Sequence, residues 1–252
     1  MTVLVVTGTG TEVGKTVATA AVAAVALAAG RTVAVLKPAQ TGVGPGERGD
    51  ADEVVRLAGH LTALELARYP EPLAPATAAR RAGLPPVRPQ EIADAARKLA
   101  TEHDLVLVEG AGGLLVRFDD GDPDGGGDGE GGGGGGSTLA DAARLLGAPV
   151  LIVASAGLGT LNTTALTAEA LRARSLHPLG VLVGSWPQHP DLAAHCNLTD
   201  LPTVAGAPLL GAVPEGSGTL TGPTFRSRAP RWLAPALGGT WDATEAPVTG
   251  SR

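Results

Sequence analysis

One decapeptide constrains the fold of this chain more than any other: Thr7-Gly8-Thr9-Gly10-Thr11-Glu12-Val13-Gly14-Lys15-Thr16. A short β-branched run, Val3–Thr7, precedes it, and the alanine-rich stretch Lys15–Ala29, closed by Gly30, reads as the helix that follows. Strand, glycine-rich turn and helix in that order are the context a phosphate-binding loop requires. Glycines let backbone N–H groups turn toward phosphate oxygens, and the helix amino end adds positive potential. Lys15 is placed for the β/γ oxygens and the Thr16 hydroxyl for Mg²⁺. Five residues separate Gly8 from Gly14, one more than the common form of this loop.

Lysine usage sharpens the expectation. The chain has three lysines, Lys15, Lys37 and Lys98, against sixteen arginines. Lys37 ends a second apolar strand, Thr32–Leu36, which is expected to stop at Lys37-Pro38, with a loop over Ala39–Gly49. From there a compact positive charge can reach the same phosphates. Lys98 falls in a helix and reads as a surface charge.

Short helices are expected over Asp50–Ala58 and Thr62–Arg68, and a longer one over Pro89–Thr101. Further strands are expected at Asp104–Val108, Pro149–Ala154, Leu179–Val183 and Pro208–Val213, and helices at Leu139–Leu146 and Leu161–Arg174. Continuous apolar strands alternating with helices imply an α/β fold, a mostly parallel sheet covered on both faces. Sites in such folds lie beyond the carboxyl ends of the strands. Glu109 stands there after Leu105–Val108, where a phosphate-loop protein holds its metal, followed by Gly110-Ala111-Gly112-Gly113. Asp50 and Asp52 are each placed to complete a Mg²⁺ shell or to cap a helix.

The net charge of −6 is unevenly spread. Six carboxylates and no basic residue lie between Asp119 and Glu130, and without them 19 basic residues face 19 acidic ones. Residues 119–137 therefore read as a flexible acidic, glycine-rich insertion in a single domain spanning 1–252. A neutral body without basic clusters argues against nucleic acid as a partner. No apolar run approaches the roughly 20 residues of a membrane span, and no basic leader precedes Val3. With a single cysteine, Cys196, the expectation is a cytoplasmic protein. The five histidines show no metal-ligand spacing.

Taken together, Thr7–Thr16, Lys37-Pro38 with Thr41-Gly42, Val108–Gly113, Leu158–Asn162 and Pro208–Pro214 resemble the ATP-dependent dethiobiotin synthetases. The one-residue offset of the glycine loop is that family's own form. The resemblance implies a homodimeric P-loop enzyme that closes the ureido ring of dethiobiotin from 7,8-diaminopelargonic acid, CO₂ and ATP with Mg²⁺. It implies Lys15 and Lys37 as catalytic residues and Thr16, Asp50 and Glu109 at the metal. Asp50 is favoured over Asp52 because it lies six residues before Arg56-Leu57-Ala58. Glu12, Val13, Gly14, Lys15, Thr16, Val17, Asp50 and Glu109–Gly112 are expected at the nucleotide, with Gly184, Ser185, Val213, Pro214 and Glu215. Thr11, Thr41 and Gly112 are expected at the diamine or carbamate, with Gly159 and Asn162 supplied by the other subunit. Ala78 stands where a second proline is expected, and Gly184 where an asparagine usually reads the base edge. The second departure leaves nucleobase preference open, other nucleoside triphosphates included. A partitioning-type ATPase would carry a signature lysine early in the loop, and Gly8–Thr11 has none.

Overall fold

The computed structural model describes residues 2–121 and 135–242. Seven parallel strands form one sheet in the order β3-β2-β4-β1-β5-β6-β7. They are β1 (Val3–Gly8), β2 (Val33–Thr41), β3 (Thr62–Tyr69), β4 (Leu105–Gly113), β5 (Val150–Ser155), β6 (Pro178–Trp186) and β7 (Leu209–Pro214). Side chains alternate along the strands, so Val5, Leu36, Val106 and Val108 face one core, and Leu4, Val6, Val35 and Leu107 face the other.

The first core is closed by α3 (Pro75–Ala82), α4 (Pro89–Ala100), α5 (Leu139–Leu146), α6 (Thr160–Arg172) and α7 (Leu192–Ala205). The second is closed by α1 (Lys15–Ala28) and α2 (Asp50–Ala58). Helix α1 is buried nearly all round because α8 (Gly222–Arg228) and a 3₁₀ turn at Ala229–Trp232 cover it, with Phe225 and Trp232 in that core. The alanines of α1 keep it narrow enough to be enclosed.

Two expectations are corrected. Thr62–Tyr69 is an edge strand, not a helix, in register with β2 from Ala34↔Thr62 to Thr41↔Tyr69. Pairing with an otherwise open edge outweighs the helix propensity of Leu64-Glu65-Leu66-Ala67. Strand β2 does not stop at Lys37-Pro38 but runs on to Thr41. Proline is tolerated because the pairing with β4 ends at Leu36↔Val108, so its missing N–H falls where no β4 partner is paired. Beyond that point β2 and β4 diverge, and Lys37 and Glu109 stand at the opening. Helix α7, with Pro202 inside it, and the segment Ser217–Leu237 carry structure that no sequence pattern announced.

Of the acidic insertion, residues 122–134 lie outside the described residues. Its base is pinned: Phe118 N–H donates to the Ser137 carbonyl at 2.8 Å, and the Asp119 carboxylate accepts from the N–H groups of Gly121 and Ser137.

Candidate active site

The loop between β1 and α1 carries Glu12 at φ +60° and Gly14 at φ +90°. Left-handed residues in such a turn swing successive N–H groups to one side, the arrangement that suits an anion. Gly14 is required for a second reason. A Cβ there would strike the backbone of Gly184 at the end of β6, and a Cβ on Gly184 would strike the Val13 carbonyl and lie 2.5 Å from Val153 Cγ1. The loop and β6 touch backbone to backbone.

At the opening between β2 and β4, four side chains meet. Lys37 Nζ, 3% exposed as a residue, lies 2.6 Å from Asp50 Oδ2 and 2.9 Å from Glu109 Oε1, and donates to the Gly110 carbonyl at 3.2 Å. Three acceptors thus match the three protons of the ammonium. Thr16 Oγ1 donates to the same Glu109 oxygen at 2.9 Å. Burial is the strongest influence on Lys37 and pulls its pKa down, but the charges of Glu109 and Asp50 outweigh it and hold the pKa above the ordinary lysine value. Lys15 Nζ donates to the Gly10 carbonyl at 2.9 Å. Its pKa is lowered, first by burial and then by the neighbouring Lys37 charge, against the opposing pull of Glu109 and Asp50.

The second oxygen of Glu109 is buried without a hydrogen-bond partner. An orphaned carboxylate oxygen beside a second carboxylate and a hydroxyl is an all-oxygen donor set that fits Mg²⁺, which takes one or two carboxylates and leaves the rest of its shell to water and phosphate. The described residues contain no cluster of three or more His, Cys, Asp or Glu that would form a cage by themselves. Asp52 does something else: its carboxylate accepts the Gly49 N–H at 2.9 Å, capping α2.

Above this floor is a cavity of about 740 Å³, lined by Thr11, Glu12, Gly14, Lys15, Thr16, Val17, Lys37, Thr41, Asp50, Ala111 and Gly112. One wall is apolar, built from Pro72, Leu73, Ala74, Pro75 and Val116. Several residues named from sequence lie elsewhere. Gly159 caps α6 with φ +94°, Asn162 is exposed on its first turn beside Leu158 at 92% exposure, and neither lines the cavity. Gly184 and Ser185 end β6, and Val213-Pro214-Glu215 end β7, where Glu215 N–H donates to the Trp186 carbonyl at 2.6 Å. Sequence reasoning missed Gln40 and the Pro72–Pro75 wall. The signal for Gln40 was its place three residues after Lys37, hidden by the expectation that the strand had ended.

A family model described as an AAA domain matches residues 2–123 and 130–221. The chain is 73% identical over 243 residues to the ATP-dependent dethiobiotin synthetase of Streptomyces avermitilis, covering 96% of both chains. It is 70% identical to the same enzyme of Streptomyces coelicolor, again over 96% of each.

The chain belongs to the dethiobiotin synthetase family.

Among solved structures it resembles the septum site-determining protein MinD of Pyrococcus horikoshii, with a TM-score of 0.53 and 16% identity over 91% of this chain and 95% of that one. A ParA family ATPase of Chlorobium tepidum gives a TM-score of 0.53 and 13% identity over 94% and 96%. At such identities these likenesses concern the fold, which is that of the P-loop NTPases. No helix among the described residues of this dethiobiotin synthetase family member is long and apolar enough to cross a membrane.

Proposed function

We propose that this chain closes the ureido ring of dethiobiotin from 7,8-diaminopelargonate, CO₂ and ATP, using the cavity at the ends of β1, β2 and β4. The observation that carries the reading is Lys37 held between Glu109 and Asp50, with Thr16 on the shared carboxylate, at the polar floor of a cavity that has an apolar wall. The substrate has the same division, two adjacent amines on an aliphatic chain. In this reading the amines lie toward Thr11, Thr41 and Gly112, and the chain lies along Pro72–Pro75. Gly159 and Asn162 of a second copy receive its carboxylate, which makes the working unit a homodimer.

One amine adds to CO₂ and loses a proton, giving a carbamate. A carbamate oxygen then forms a bond to the γ-phosphorus as the bond to ADP breaks. The second amine attacks the carbamoyl carbon, phosphate leaves with the mixed-anhydride oxygen, and the nitrogen gives up its proton. Charge collects on the γ-phosphoryl oxygens during transfer, and positioned cations are the main source of rate there. Lys15 and Lys37 supply two of them, with the N–H groups of residues 12–16. Thr16, Asp50 and Glu109 would hold Mg²⁺, which supplies charge neutralisation and orientation of the triphosphate.

A broader use of nucleoside triphosphates is favoured by Gly184. With no side-chain amide at this position, no bidentate pairing with adenine is available from it, and the base is left to backbone groups at 184–185 and 213–215.

Purified protein given the diamine, labelled bicarbonate, Mg²⁺ and ATP should form acid-stable labelled dethiobiotin. No label above a boiled control, with ATP and with other nucleoside triphosphates, would overturn the reading.

A further inference from the structure

Helix α2 begins at Asp50, and the residue before it, Gly49, has no side chain with which to cap the free N–H groups of the first turn. A side chain there would have to displace the tips of its neighbours. A Cβ on Gly49 would lie 2.5 Å from Glu65 Oε1, 2.9 Å from Gln40 Oε1 and 3.0 Å from Arg68 Nη2. Asp52 takes only the Gly49 N–H, and the first N–H of the helix proper is capped from another element. Gln40, in β2 and 4% exposed, accepts the Asp50 N–H on its side-chain oxygen at 2.8 Å, while its Nε2 donates to the Thr41 carbonyl at 3.2 Å. The two bonds use the acceptor and the donor of the amide as each must be used, which settles its orientation. The surroundings are equally fixed. Arg68 donates twice to Glu65 Oε2 at 2.8–2.9 Å, and to the carbonyls of Gly44 and Glu47 in the loop leading to α2.

We propose that Gln40 is a positioning residue for the metal-binding carboxylate: by taking the first N–H of α2 it sets where the Asp50 side chain stands relative to Lys37 and Glu109. This rests on the reading of Asp50 as a Mg²⁺ ligand. Of the three charged members of the cluster, Asp50 alone is not held by burial, its side chain being 38% exposed, whereas those of Lys37 and Glu109 are 4% and 1% exposed. Its position depends on the backbone that carries it. A strand residue that binds that backbone ties α2 to the same strand as Lys37, so the ammonium and the carboxylate move together.

The test uses Gln40→Met, which keeps length and removes the acceptor, and Gln40→Glu, which keeps an acceptor oxygen beside the Arg68 guanidinium. Two quantities are read on each full-length protein: amide hydrogen exchange at residues 50–52, and ADP binding by calorimetry as a function of Mg²⁺ concentration, with a metal-free series alongside. A single neutral hydrogen bond corresponds to roughly a three- to ten-fold effect. Gln40→Met should speed exchange at Asp50 and raise the half-saturating Mg²⁺ concentration by that factor, leaving metal-free ADP binding unchanged. Gln40→Glu should return both toward the parent values. Exchange unchanged in Gln40→Met overturns the capping role itself. Faster exchange with an unchanged Mg²⁺ requirement overturns the link to the metal. Gln40→Glu as impaired as Gln40→Met overturns the role of the acceptor oxygen. The exchange measurement is independent of the reaction proposed above, so failure of that reading and failure of this one are told apart.

Discussion

The ends of β1, β2 and β4 bring side chains to the phosphate loop, while the end of β6 meets it with backbone. On the first side Lys37, Glu109, Asp50 and Thr16 form a connected polar cluster between two diverging strands. On the second, Gly184 lies directly against Val13 and Gly14 of the loop, close enough that no side chain fits between them. Charge recognises charge and tolerates no substitution of type. A backbone surface sets shape and tolerates no added bulk. The two sides should therefore fail differently when changed.

The largest failure belongs to Lys37. Replacing it by Met leaves Glu109 buried with only the Thr16 hydroxyl, and an uncompensated buried charge costs about 3–5 kcal/mol. Turnover should fall by roughly two orders of magnitude or more, and the midpoint of urea unfolding should drop with it. The raised pKa gives the sign of the pH effect: the contribution of Lys37 is complete below the ordinary lysine value of 10.5 and is lost only as pH rises through its higher folded-state value. Alkaline unfolding of the parent should thus narrow its advantage over Lys37→Met. A variant as stable as the parent at neutral pH would detach the lysine from the carboxylates.

Gly184→Asn comes next and tests the other side. By residue type it restores a base-reading amide. By geometry its Cβ runs into the Val13 carbonyl and Val153, an overpacking that costs about 1–3 kcal/mol. We expect lower thermal stability and weaker ATP binding, with no gain in preference for ATP over other triphosphates. A gain in that preference without loss of stability would break the contrast between the two sides.

How far these features could be read in advance follows the same division. Lys37 and Glu109 were visible because an ionisable residue closing a buried apolar run is rarely incidental. The meaning of Gly184 was not, because it looked like a missing asparagine, and its necessity comes from a loop 170 residues away in sequence. Thr62–Tyr69 was unreadable for a related reason. Leu64, Glu65, Leu66 and Ala67 suit a helix locally, and only the neighbouring edge of β2 makes them a strand. Gln40 was concealed by Pro38, whose effect depends on whether β4 is still paired at that level. Local chemistry is legible in a chain; contacts between distant backbones are not.

Lys15 separates from Lys37 in a smaller effect. Its pKa is depressed, so on raising pH it loses its proton below 10.5, before Lys37 does. Since kcat/KM reports the free enzyme, kcat/KM for ATP should fall on an alkaline limb placed below 10.5. Lys15→Arg, which stays protonated throughout, should lack that limb while retaining the stability of the parent. A limb unchanged in Lys15→Arg would assign it to another group.

The smallest effect is expected from the acidic insertion, which belongs to neither side. Gly121 and Gly136 already stand together: a Cβ on Gly121 would lie 2.7 Å from the Gly136 N. The strand-like bridge between Arg117 and Thr138, and the Asp119 bonds to Ser137, close the neck behind them. Joining residue 121 to 135 should need little rearrangement, and loop-closure entropy changes only slowly with loop length. Deleting 122–134 removes Asp122, Asp124, Asp128 and Glu130, and so changes the net charge from −6 to −2. Turnover with saturating substrates should stay within about two-fold of the parent, since the described residues on either side of the deletion already stand together. Repeating the comparison at low salt sharpens it: if the four carboxylates repel triphosphate from a distance, the deletion lowers KM for ATP there and not at about 0.15 M salt. A large loss of turnover at both would place the insertion in the catalytic machinery.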